Sequence, residues 1–255
     1  MSGGEQTISQ LGTGTINTMS GGSQKVNSGG SGMVSTMNSG NQYISGGTGT
    51  VSTMHDGLQI IKSNGQGTVD VMNSGGQFIE ADGGTGTVNT MLDGQQTIHT
   101  GGTGTVSTMS GGEQNIYSGG TGTISTMSGG LQEISSGGMG TVSTLNGGSQ
   151  IISSGGTGTV DIMSGGMQEI VSGAGMISTM NSGLQNIRAG GTGTVSTLSG
   201  GSQSIDSGGT GTVSIMLDGP QNYQIISSGG TGTVDIMSGG MQDLSLIHIS
   251  EPTRR

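Results

Sequence analysis

A methionine or leucine returns along this chain at an almost fixed interval, and that period limits the fold more than any other feature. The anchors are Met1, Met19, Met37, Met54, Met72, Met91, Met109, Met127, Leu145, Met163, Met180, Leu198, Met216 and Met237. Of the 13 intervals, nine are 18 residues, two are 17, one is 19 and one is 21. Residues 118–135, SGGTGTISTMSGGLQEIS, show the unit cleanly: two short β-like runs, each closed by a Ser-Gly-Gly turn. A period this tight over a whole chain is the mark of a solenoid, in which no repeat can bury a core without its neighbours. The 21-residue interval, around Pro220-Gln221-Asn222-Tyr223-Gln224, reads as a surface insertion at a turn.

Each slot of the unit has its own chemistry. The first run, such as Thr121–Met127, is rich in β-branched residues and too short for a helix. The second alternates: variable residues (Lys25, Tyr43, Phe78, Asn115, Glu133, Glu169, Asp243) sit between a constant Gln and a constant Ile. A strand turns successive side chains to opposite faces, so the variable slot faces water and the constant ones face inward. Core ladders are expected from Val106, Ile124 and Val142, from Met109, Met127 and Leu145, from Gln114, Gln132 and Gln150, and from Ile116, Ile134 and Ile152. The slot two after Val (Thr108, Val71, Ile162, Ile215, Ile236) also suits the interior by alternation. Met, three after Val, is then expected to reach the core through a bend of the strand at Met itself. Gly-Gly pairs supply corners of positive φ.

These readings add up to an all-β parallel β-solenoid of about 13 coils, two short strands per coil, over residues 1–243. Coils stacked at ~4.8 Å would make a rod of roughly 60 Å, with inward amides bonded along its axis. Gly is 59 of 255 residues, far above an ordinary domain, yet the sparse apolar residues are strictly placed, unlike disordered low complexity.

Both ends look foreign to the repeat. Met1-Ser2-Gly3-Gly4-Glu5-Gln6 repeats the internal string 109–114, so the chain is expected to begin in mid-repeat, where a missing signal peptide says nothing of secretion. Residues 244–255, LSLIHISEPTRR, share nothing with the repeat and resemble a translated sequencing-library adapter. They are expected to be a non-native, disordered tail; a true terminal strand or helix is the rival reading. Without them, three basic residues (Lys25, Lys62, Arg188) face 14 acidic ones, a formal charge of −11. So acidic a chain has no footprint for nucleic acid, and no stretch approaches the ~20 apolar residues of a membrane helix.

The phrases GGTGTVSTLSGG (residues 190–201) and GGxQxIxSGGT resemble AIDA-type autotransporter adhesin repeats, whose usual form is close to SGGTAxxTxVxxGGxQxVxSGG. The resemblance covers residues 1–243. It implies a right-handed β-helix and a passenger on the surface of a Gram-negative bacterium, acting in adhesion, autoaggregation or biofilm formation. By the same resemblance the partners are like molecules or host surface ligands, and a β-barrel in the outer membrane anchors the whole protein. This chain departs from the family form in placing Gly for Ala after the first Thr, Met for Val at the anchor, and 18 residues for 19.

Two other chemistries fit parts of the pattern. GGxGxDxUx repeats bind calcium in a β-roll, but here the ligand slot holds Val106, Ile124, Val142 or Val160, and a hard cation needs oxygen. Asp70, Asp161 and Asp235 stand alone rather than on adjacent coils. The Thr-Gly-Thr pairs, among them Thr103/Thr105, Thr121/Thr123 and Thr157/Thr159, would form an outer hydroxyl-and-methyl ladder like the ice-binding face of some solenoids. Catalysis has no foothold: His55 and His99 are single variants at outer slots, and neither HExxH nor a cysteine occurs. No cofactor and no metal site is expected.

Overall fold

The structure, a computed structural model, describes residues 1–80 and 82–245. It is a parallel β-solenoid of 23 strands, about 13 turns at a spacing of about 18 residues. Each strand pairs with its counterpart one turn on, in register and in parallel. Thr103–Met109 lies between Thr85–Met91 and Thr121–Met127, with Val106 opposite Val88 and Ile124. Glu113–Ile116 lies likewise between Gln95–Ile98 and Leu131–Ile134. Corners are bonded along the axis as well: Ser110 N–H donates to Met91 O (2.9 Å) and Thr121 N–H to Gly102 O (3.1 Å). Every turn is therefore held to the next at strands and corners alike.

The irregular intervals fall in the corners. The 17-residue turns lose a residue between Ile44 and Thr48 and between Ile170 and Ala174; the 19-residue turn gains one between Ile79 and Thr85. In the 21-residue turn the extra residues lie before Asn222–Ile226, because Gln224 pairs with Gln203 and belongs to the regular ladder. The insertion is thus narrower than the sequence suggests.

Two apolar columns run the length of the interior. One holds Val106, Met109, Ile124, Met127, Val142 and Leu145 with their counterparts; the other holds Ile116, Ile134 and Ile152 with theirs. All nine of these side chains have no exposure. Between the columns stands a file of glutamines, of which Gln114, Gln132 and Gln150 are also fully buried. Gln132 Nε2 donates to Gln114 Oε1 at 2.7 Å, and Gln150 Nε2 to Gln132 Oε1 at 2.6 Å. From Gln6 to Gln242 thirteen such bonds of 2.6–2.7 Å point the same way. The second amide hydrogen reaches across the interior, as from Gln150 to Thr159 O at 3.3 Å, so the file ties the two walls together.

Glycine is required at two kinds of place. Gly112 turns a corner at φ +77°, and a Cβ there would lie 2.5 Å from Gly94 O. Gly122, in the middle of a strand, faces inward, and a Cβ would meet Ile116 Cδ1 at 2.4 Å and Gln114 Oε1 at 2.8 Å. The Gly that replaces the family's Ala at this slot leaves room for the isoleucine and the amide.

One expectation is corrected. The slot two after Val faces out: Thr108 is exposed, Val71 and Ile215 are half-buried, and Ile162 and Ile236 are 44% and 56% exposed. Alternation breaks at Ser107–Thr108, where two successive residues face outward, and the pairing of Val106 and Thr108 skips Ser107. The bend lies one to two residues before Met, so Met109 enters the core from a regular strand position. At the far end Leu244 pairs with Ile226 in the strand Met241–Leu244, taking the Ile slot of the last turn. Residues 246–255 of the expected tail lie outside the described residues.

Replacing Gln132 by Leu leaves Gln114 Oε1 and one Gln150 hydrogen without partners, at about 1–3 kcal/mol for each orphaned group. Gly122→Ala should cost about 1–3 kcal/mol through overpacking, whereas Thr121→Ala on the outer surface stays within ~0.5 kcal/mol. Urea unfolding followed by circular dichroism measures all three; equal midpoints for Gly122→Ala and Thr121→Ala would contradict the packing described.

Candidate functional site

With the inward slots given over to packing, function has only the outward columns to work with. On the first strand these are the Thr-Gly-Thr positions. The glycine faces in, so both threonines face out: Thr103 and Thr157 are exposed, while Thr105, Thr121, Thr123 and Thr159 are half-buried. Thr103 pairs with Thr121 and Thr105 with Thr123, so the hydroxyls and methyls stand in two files one strand spacing apart. Ser31, Gln66, Met139 and Ala174 interrupt the first file, and Met33 and Met176 the second. β-Branched residues suit such a half-buried pleated surface on their own account. A third file, Ser107, Ser125 and Ser143, runs along the corner.

The second strand and its flanks carry the ion pairs and the aromatic residues. Lys25 pairs with Glu5 and Lys62 with Glu80, each at 2.8 Å, and Arg188 pairs with Glu169. The hydrogen bond from Lys25, helped by one from Thr7, holds the Glu5 carboxyl below its usual range. A lowered carboxyl favours the fold above the ordinary carboxylate pKa and loses that contribution as pH falls through the lowered value. Being exposed, this pair contributes little. His55 and His99 are both exposed; Asn73 Nδ2 lies 3.2 Å from His55 Nδ1, and the His99 ring stacks on Tyr117 with centroids 5.2 Å apart.

Val106, Ile124, Val142 and Val160, at the slot where a calcium roll carries Asp, are packed in the core. Among the described residues no three His, Cys, Asp or Glu side chains come together in a way that could hold a metal ion.

No protein-family profile and no curated protein matches the chain. Among solved structures it is similar to the crystal structure of a TibC-catalysed hyper-glycosylated TibA fragment. The two are 29% identical, with a TM-score of 0.71 over 92% of this chain and 97% of that one. The likeness runs nearly the whole length of both chains, and the two share a solenoid fold.

In this solenoid, the pattern of two constant inward slots and free outward slots is the division between scaffold and surface. Sequence alternation located the threonine files. It missed that Thr97 and Asn115, in the free outer slot, are only 5% exposed. Their neighbours on the same face, Gln95 and Glu113 on one side and His99 and Tyr117 on the other, are large enough to cover them. The sign was legible only as a local rise in side-chain size.

Millimolar calcium added to the purified segment should leave its β circular dichroism unchanged. A calcium-dependent gain of β signal would mean that carboxylates outside the core order the fold.

Proposed function

We propose that this chain is a stretch of the extracellular rod of an autotransporter adhesin, displayed on the bacterial surface and anchored through a β-barrel elsewhere in the whole protein. It acts by contact along its length, on like rods and on host surfaces, in adhesion, autoaggregation and biofilm formation. The observation that carries this reading is the pair of threonine files held in register from turn to turn. Each hydroxyl offers one weak hydrogen bond. A rigid file offers many at once, and linked weak contacts gain avidity that none has alone. The fold has the same consequence: indels are confined to corners, so the flat faces keep their register over the whole length.

Charge sets the conditions. A formal charge of −10 makes like rods repel. Salt screens that repulsion, and protonating carboxylates removes it, so association should strengthen with ionic strength and as pH falls through the carboxylate range.

A second reading concerns modification. The TibA fragment is hyper-glycosylated by TibC, and the outward file Ser107, Ser125 and Ser143 offers regularly spaced hydroxyls for the same chemistry on this chain. Intact mass of the surface-displayed protein would show increments of a repeating sugar mass; a single unmodified mass would remove this reading.

The main reading is tested by settling of cells that display the segment. Cells with the native chain should clump, faster at higher salt and lower pH. Replacing Thr103, Thr105, Thr121, Thr123, Thr157 and Thr159 by Asp should keep them dispersed at neutral pH. Unchanged clumping of that variant, or dispersed native cells under every condition, would overturn it.

A further inference from the structure

Aromatic side chains are scarce in this chain: three tyrosines and one phenylalanine in 255 residues. Three of the four, Tyr43, Phe78 and Tyr117, project from one face within five consecutive turns. On that face Tyr43 pairs with Ile60, Ile60 with Phe78, Phe78 with Thr97, and Thr97 with Asn115. Five strands span about 20 Å. Further along, the same slot holds Glu133, Ile151, Glu169, Asn186, Ser204 and Ile225, with no aromatic residue. The period is also disturbed here, with the 17-residue corner next to Ser45 and the 19-residue corner next to Glu80.

The side chains form a shallow basin. Leu58, Ile60 and Phe78 make its floor and Glu80, His99 and Thr100 its wall, around a cavity of about 590 Å³. The Phe78 ring lies over Gly76, so closely that a Cβ there would meet Phe78 Cε2 at 2.6 Å. Lys62 Nζ holds Glu80 Oε2 at 2.8 Å. Tyr117 backs the His99 ring, the two planes lying within 13° of parallel. One strand further on, Asn115 Oδ1 is buried and makes no hydrogen bond among the described residues. An open apolar floor with a few fixed polar groups at its edge is the usual make-up of a small-ligand site, and its volume is in the usual range.

We infer that this basin binds a saccharide, neutral or amino, with a sugar ring lying on Phe78 and Ile60 and its hydroxyls facing Glu80, His99 and Thr100. A pyranose is amphipathic in the way the basin is: one face is C–H, the edge is hydroxyl. A purely apolar partner would leave the His99 imidazole of the wall without a hydrogen-bond partner, which is costly once water is excluded. Anionic sugars are disfavoured, because the Lys62 ammonium that reaches the wall is already paired with Glu80 and the chain as a whole is strongly acidic. A second copy would bring the same carboxylates face to face. The site is separate from the threonine files, so sugar binding and clumping fail independently.

The test uses the whole chain and a panel of neutral, amino and sialylated oligosaccharides on a glass array, followed by titration of the best binder. Native protein should bind neutral or amino sugars and leave sialylated ones. Phe78→Leu keeps an apolar side chain but loses the ring face, and should weaken binding at least tenfold; His99→Ala should do the same. Both variants should keep the native circular dichroism and still clump when displayed. Binding unchanged in Phe78→Leu, preference for sialylated sugars, or no sugar bound would overturn the proposal. So would an apolar face that only pairs copies, seen in sedimentation as a native dimer that Phe78→Ala makes monomeric, with no sugar bound by either.

Discussion

The buried glutamine amide is the group on which this solenoid depends. An amide taken out of water without partners costs several kcal/mol, and this chain buries one in nearly every turn. The cost is offset because each amide donates to the one before and accepts from the one after, at 2.6–2.7 Å. That bond closes only if successive turns are in register. The ladder therefore does what an apolar core alone does not: isoleucines slide past one another cheaply, whereas an amide file displaced by one residue loses every bond. Specificity of register comes from the polar file, and bulk stability from the apolar columns on either side.

Other features follow from keeping that file straight. The mid-strand glycine, as at Gly122, faces inward because the isoleucine and amide of the preceding strand occupy the volume a methyl would need. Methionine suits the other column because a long unbranched thioether fills what the local geometry leaves. Turns of 17, 19 and 21 residues are tolerated because length changes fall where no amide is involved. A chain poor in aromatic residues can thus hold one register from turn to turn, and the outward slots are free to carry function.

Much of this was legible in the residues. The period gave the solenoid, and Gln-x-Ile alternation gave the inward files. The corner at Ser107–Thr108 was hidden, because alternation is a rule for a straight strand and the chain bends inside a run that looks uniform. Thr108 and Ile236 were read as inward for that reason. The outer face was legible only in part. Threonine files follow from spacing, but the basin around Phe78 needs the register of three turns, which joins Leu58 and Ile60 with Phe78 and with His99 from three separate stretches of sequence.

The amide file can be observed directly by proton exchange of glutamine side chains in nuclear magnetic resonance. Each interior amide, from Gln24 to Gln224, should exchange its Nε2 hydrogens orders of magnitude more slowly than the exposed Gln10 and Gln66. Replacing Gln132 by Leu should speed exchange first at Gln150, the amide that loses its acceptor. Interior amides that exchange as fast as Gln10 would mean that the file does not exist and that register is held by something else.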